Sequence, residues 1–153
     1  MGEPRHLVGD FFGLADLSFR GGISLAAVDF NGDGCDELAV GAGRGGGPVV
    51  RVLDGAALTH GAGVVPRYEF LAGAADDRGG VELETDGEVA GARPRLTAHL
   101  GDGEIFVFDP SFTRLGSFRN RYLKHCHEIH VHGDRLFMTS TGFDSVLEYD
   151  LAA

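Results

Sequence analysis

Apolar residues in this chain fall in short runs that alternate with small or polar positions, and glycine closes most of them. Successive side chains on a strand point to opposite faces, so this period-two pattern predicts β-structure. It predicts strands over Ile23–Val28, Glu37–Ala42, Val49–Leu53, Arg67–Phe70 and Leu96–Leu100. Further strands are predicted over Glu104–Phe108, Glu128–His132, Arg135–Thr139 and Ser145–Tyr149. No window carries the i, i+3, i+4, i+7 apolar stripe of an amphipathic helix, and glycine interrupts most candidates. The chain reads as all-β.

The pattern also repeats. Phe19–Val28 reads FRGGISLAAV and Asp77–Leu83 reads DRGGVEL, so Arg-Gly-Gly leads into an alternating strand twice, 58 positions apart. Three other segments, VVRVLDG (Val49–Gly55), EIFVFDP (Glu104–Pro110) and SVLEYDL (Ser145–Leu151), each alternate and reach an Asp at the strand end. A unit of about 40–55 residues is the size of one four-stranded propeller blade. The expected fold is a β-propeller or propeller fragment, a single domain over 1–153. Its blade-like units are expected near 11–58, 67–113 and 118–151. Three blades fall short of the roughly four to eight of a closed propeller. A fragment, an irregular N-terminal blade or homo-oligomerisation that closes the ring would each resolve the exposed strand edges.

Composition sharpens this. The 25 glycines are about twice the usual background of roughly 7%, which suits many tight turns between short strands. A formal net charge of −10 disfavours nucleic acid and anionic membrane as partners, because phosphate contacts need Lys and Arg. No apolar run approaches the roughly 20 residues of a membrane helix, so no membrane insertion is expected. The N-terminus shows no signal-peptide pattern. Two cysteines, Cys35 and Cys126, make no disulfide framework.

The densest candidate chemistry is Asp29–Glu37, DFNGDGCDE. Side-chain oxygens fall at loop positions 1, 3 and 5 (Asp29, Asn31, Asp33), Gly34 follows where a sharp turn needs positive φ, and Glu37 closes the loop. Calcium takes six to eight oxygens, so alternating carboxylate and amide donors on a tight loop suit Ca2+. The Cys35 carbonyl would add a backbone ligand; its thiol, among hard oxygens, is a bystander. Strands enter and leave, giving a β–loop–β site. Without a cation the three carboxylates repel one another. The alternative is a hairpin whose Asn-Gly and Asp-Gly pairs merely make turns.

Gly21–Gly55, GGISLAAVDFNGDGCDELAVGAGRGGGPVVRVLDG, closely resembles the FG-GAP repeat, also called the VCBS-type repeat, of bacterial proteins and integrin α-subunit propellers. The resemblance is strong over this segment and weaker over 11–108. It implies a propeller blade with calcium between its strands, a binding role and an extracellular setting. Glu37 stands where the family usually has Asp. The second unit departs from the pattern: ETDGEVAGARP (Glu84–Pro94) lacks the donor spacing, and a turn without a metal is expected there.

His125–His132, HCHEIHVH, is the second cluster. Strand alternation would put Cys126, Glu128, His130 and His132 on one face, and His125, His127, Ile129 and Val131 on the other. Glu128, His130 and His132 are ligand types for Zn2+ or another transition metal. Against this, His127–Leu151 resembles an NHL-type propeller blade, in which Ile129 and Val131 pack inward, Gly133-Asp134 makes a hairpin and Thr141–Asp144 the next turn. The histidines then line a channel or the surface. GAGRGGGP (Gly41–Pro48) lacks the Lys-Ser/Thr of a phosphate loop. Ser140, Ser145, His127 and Asp144 lack a nucleophile elbow.

Two function classes follow. The favoured one is a noncatalytic, calcium-stabilised binding module that meets a protein or glycan partner. The alternative is a metal-dependent propeller enzyme, a hydrolase or lyase, working through His127, Glu128, His130 and His132.

Overall fold

The computed structural model describes residues 9–87, 93–101, 103–124, 126 and 128–152. Among them eleven strands form three antiparallel sheets, each a meander in sequence order. The first holds β1 (Ile23–Val28), β2 (Glu37–Ala42), β3 (Val49–Leu53) and β4 (Pro66–Leu71). The second holds β5 (Val81–Thr85), β6 (Leu96–Leu100), β7 (Glu104–Phe108) and β8 (Arg114–Arg119). The third holds β9 (Ile129–His132), β10 (Arg135–Ser140) and β11 (Ser145–Asp150). The leading strands lie side by side, β1 against β5 and β5 against β9. The protein is all-β, with one short helix, α1 (Gly55–Thr59), among the described residues.

The cores lie between sheets. Val28, Val50 and Val52 of the first sheet pack with Val81, Leu83, Leu96 and Phe106 of the second. Ile105 and Leu123 pack with Val131, Leu136 and Met138 of the third. Each such side chain contributes about 1.5–3 kcal/mol on burial. The other face of the first sheet is covered rather than open: Leu14, Phe19 and Leu58 pack on Val40, Ala42 and Leu53. Residues ahead of β1 therefore cap the first sheet and add no strand to it among the described residues. β2 is buried along almost its whole length because it has a core on both faces.

The Arg-Gly-Gly repeat is a structural repeat. Arg20 donates from Nη1 to the carbonyls of Leu17 and Phe19, both at 2.7 Å; Arg78 does the same to Ala75 and Asp77, also at 2.7 Å. The Gly43 N–H donates to the Gly22 carbonyl, and the Gly101 N–H to that of Gly80. The backbones meet so closely that a Cβ on Gly43 would lie 2.3 Å from the Gly21 oxygen, and one on Gly101 2.4 Å from the Gly79 Cα. Only glycine fits such an approach. Gly43→Ala is expected to destabilise by about 1–3 kcal/mol, the usual cost of overpacking, with denaturant unfolding as the check. A variant as stable as the parent would show that this crossing can give way.

The Asp that ends each third strand also repeats its role. Asp54 Oδ1 accepts the Ala57 N–H, Asp109 Oδ1 those of Ser111 and Thr113, and Asp150 Oδ1 that of Ala152. Asp54 thereby caps α1, which strand patterning did not predict. β8 was also not predicted. It is exposed except for the partly buried Phe118, and Gly116 interrupts it, so no alternation shows. β4 pairs with β3, so the first sheet draws its fourth strand from the 67–113 unit. Pro66 is tolerated there because β4 is an edge strand and the register shifts beside it.

Candidate metal centre

The loop between β1 and β2 is organised around Glu37. Hairpin register sets Glu37 opposite Val28, at the mouth of the loop, and leaves it only 1% exposed. Its Oε2 accepts the N–H groups of Phe30 (3.0 Å) and Asn31 (3.2 Å), and its Oε1 accepts Asn31 Nδ2 at 2.6 Å. Burial raises the Glu37 carboxyl above the usual glutamate range, opposed by the Phe30 N–H and reinforced by the charge of Asp33. Asp29 is the counterweight. Its Oδ2 accepts the Gly34 N–H (2.8 Å), and its Oδ1 those of Gly32 (2.7 Å) and Asp33 (3.2 Å), with Gly34 the main cause of its lowered pKa. Gly32 and Gly34, at φ 80° and 85°, supply the left-handed turns that aim these amides inward.

Asn31 is the informative residue. Its Nδ2 lies between two carboxylates, 3.0 Å from Asp33 Oδ2 and 2.6 Å from Glu37 Oε1. A weakly positive amide group thus stands between two acidic side chains. The donor set is all hard oxygen, of the kind Ca2+ takes. Burial, then Asp33 and Asp29, push the Cys35 thiol up, away from the thiolate a soft metal would need. Among the described residues no three His, Cys, Asp or Glu side chains already stand grouped around a common point. The loop's carboxylates are turned instead to backbone N–H groups and Asn31.

The second cluster is arranged otherwise than strand alternation predicts. β9 begins at Ile129, so the alternation does not reach back to Cys126. Cys126 packs with Ile129 and Val131 against the second core, not with His130 and His132. Glu128, His130 and His132 are exposed, and His130 Nδ1 lies 3.5 Å from Glu84 Oε1 of the neighbouring sheet. His125 and His127 lie outside the described residues. The Gly133-Asp134 hairpin and the Thr141–Asp144 turn both form where predicted.

What stands in the second sheet at the position of Glu37 was not anticipated. A 58-residue offset carries the β1–β2 register onto β5–β6, and it carries Glu37 onto Arg95. Arg95 Nε lies 2.6 Å from Asp86 Oδ2, its Nη2 2.8 Å from Asp134 Oδ1, and its N–H donates to Asp86 Oδ1 at 2.6 Å. The second sheet closes this hairpin with a side-chain cation. Part of the segment expected to form a metal-free turn, residues 88–92, lies outside the described residues.

Strand order, the glycine crossing and the loop's donor spacing agree with one further observation, from comparison with family models. Residues 21–57 match the FG-GAP repeat. The match covers about a quarter of the chain, from the Gly-Gly ahead of β1 through the loop, β2 and β3 into α1. FG-GAP repeats are propeller blades, and the first sheet has the four-stranded meander of one. The FG-GAP match stops before β4, so the repeat as a sequence unit is offset from the sheet as a structural one. No curated protein matches the chain.

Proposed function

We propose that this chain is a noncatalytic binding module of the propeller type. Its first blade is stapled by a calcium ion held through Asp29, Asn31, Asp33, the Cys35 carbonyl and Glu37. The observation that carries this reading is the buried Glu37 carboxylate facing Asp33 across the Asn31 amide group. Burying a carboxylate beside a like charge costs energy that a bound divalent cation offsets. When bound, the ion supplies charge neutralisation. The chain supplies the turn at Gly32 and Gly34, the aim of the donors and a dry wall at Phe30. The role is structural, since the loop ties β1 to β2 within one blade. The enzyme alternative draws less support, because Glu128, just ahead of β9, and His130 and His132 on it are exposed, and His130 has a carboxylate neighbour in Glu84.

Thermal unfolding with and without calcium tests the staple. Ligand linkage stabilises the parent by about 2.7 kcal/mol at a hundredfold excess over Kd. The double variant Asp29→Ala/Asp33→Ala is expected to lose that rise. An equal rise in both proteins would place the ion elsewhere or nowhere.

A further inference from the structure

We propose that the cavity beside the loop is a binding site for an acidic saccharide, accepting a uronate residue. This inference rests on the binding-module reading and names its ligand class. The cavity, of about 240 Å3, opens between the first and second sheets. Its volume is just below the range of about 300–1,000 Å3 typical for drug-sized ligands, a fit for one sugar ring.

Two guanidiniums reach this concavity from distant segments, Arg67 on β4 and Arg93 ahead of β6. In a chain of formal net charge −10, the cavity wall sets these two guanidiniums against one carboxylate, Glu37, a local excess of positive charge that favours an anion. Arg67 is anchored, its Nε 2.7 Å from Asp54 Oδ2. A guanidinium fork matches the two oxygens of a carboxylate better than an ammonium does.

The wall is aromatic. Tyr68 and Phe112 have ring centroids 4.8 Å apart, and Phe30 meets Phe112 edge-on at 4.9 Å and 69°. Such a surface suits the apolar face of a pyranose, while the Ser111 hydroxyl oxygen, whose hydrogen goes to Asp109, can accept a hydrogen bond from a ring hydroxyl. Phe112 is held at φ 60°, a conformation bulky residues rarely adopt. Asp109 fixes the turn: its Oδ1 accepts the N–H groups of Ser111 and Thr113, both at 2.9 Å, and the Ser111 hydroxyl at 2.7 Å. The side-chain hydroxyl of Ser111 leads the causes that lower the Asp109 pKa, and Arg93 adds to them, which places its charge beside this turn. Backbone held in a sparsely populated region tends to cluster at ligand clamps. Asn31 and Glu37 lie on the same cavity, so an ion in the loop would make it more receptive to an anion.

Calorimetric titration of the full chain with glucuronate tests this, with glucose and acetate as comparison ligands, in calcium and in chelator. Glucuronate is expected to bind saturably and at least about tenfold more tightly than glucose or acetate, a difference of about 1.4 kcal/mol. Arg93→Gln is expected to weaken it about tenfold and leave calcium-dependent melting unchanged. Absence of saturable glucuronate binding, equal binding of either comparison ligand, or indifference to Arg93→Gln would each overturn the site. If glucuronate fails while calcium still raises the melting temperature, this inference falls and the staple stands. If calcium has no effect and glucuronate binds, the staple falls and the cavity stands.

Discussion

Replacing Arg95 with methionine is expected to cost about 3 kcal/mol, seen as a lower denaturant midpoint with an unchanged slope. The reason is what the substitution leaves behind. The Asp86 side chain is 5% exposed and takes both the backbone N–H and the Nε of Arg95. Removing the guanidinium strands a buried carboxylate, which costs about 3–5 kcal/mol where both partners are fully buried. Arg95 is 20% exposed, so solvent screening puts the effect at the low end. Asp134→Ala should cost little by comparison, because that side chain is 60% exposed. The double variant Arg95→Met/Asp86→Leu should recover most of the loss, since it removes the stranded charge with its partner. A single-variant loss below about 0.5 kcal/mol, ordinary for a surface pair, would refute the account.

Glu37→Gln is expected to abolish the calcium response, a loss of about 2.7 kcal/mol at a hundredfold excess over Kd, and to stabilise the protein in chelator at neutral pH. The sign follows from burial. A carboxyl whose folded pKa is raised binds its proton more tightly folded than unfolded. Its stabilising effect is present below the unfolded value and is lost as pH rises through the folded one. In chelator the two proteins should have similar stability near about pH 4 and diverge toward pH 7, with glutamine the more stable. Asp29, Asp54 and Asp109 have lowered values and work in the opposite sense, but both proteins share them, so the difference isolates Glu37. Calcium should reverse the order, because glutamine brings no charge to the ion. Parallel pH curves for the two proteins in chelator would mean that Glu37 is not a strained acid.

Strands with one buried face were legible in the sequence, because alternation is the imprint of a half-buried strand. β1, β3 and β10 show it. The Arg-Gly-Gly crossing was legible for a different reason: a contact that admits no side chain can be written only in glycine. Exposed β8 and the five-residue α1 left no periodic trace. The alternation that grouped Cys126 with His130 failed because it assumed a strand extending further back than β9 does. The acidic and amide side chains of the β1–β2 loop were visible in the sequence because they lie within one short segment. The cavity was not, since residues 30, 67, 93 and 112 meet only when two sheets pack. The exchange of Glu37 for Arg95 became visible only once the β1–β2 and β5–β6 registers were superposed.

That exchange divides the molecule mechanically. The Glu37 loop is a knot tied within one blade, between two strands adjacent in the chain. Arg95 is a rivet, because its second contact crosses to Asp134 on the β9–β10 hairpin of the third blade. Cutting the knot slackens one blade and leaves its neighbours in register. Pulling the rivet removes one tie between two blades, which the packed core of Ile105, Leu123, Val131, Leu136 and Met138 still joins.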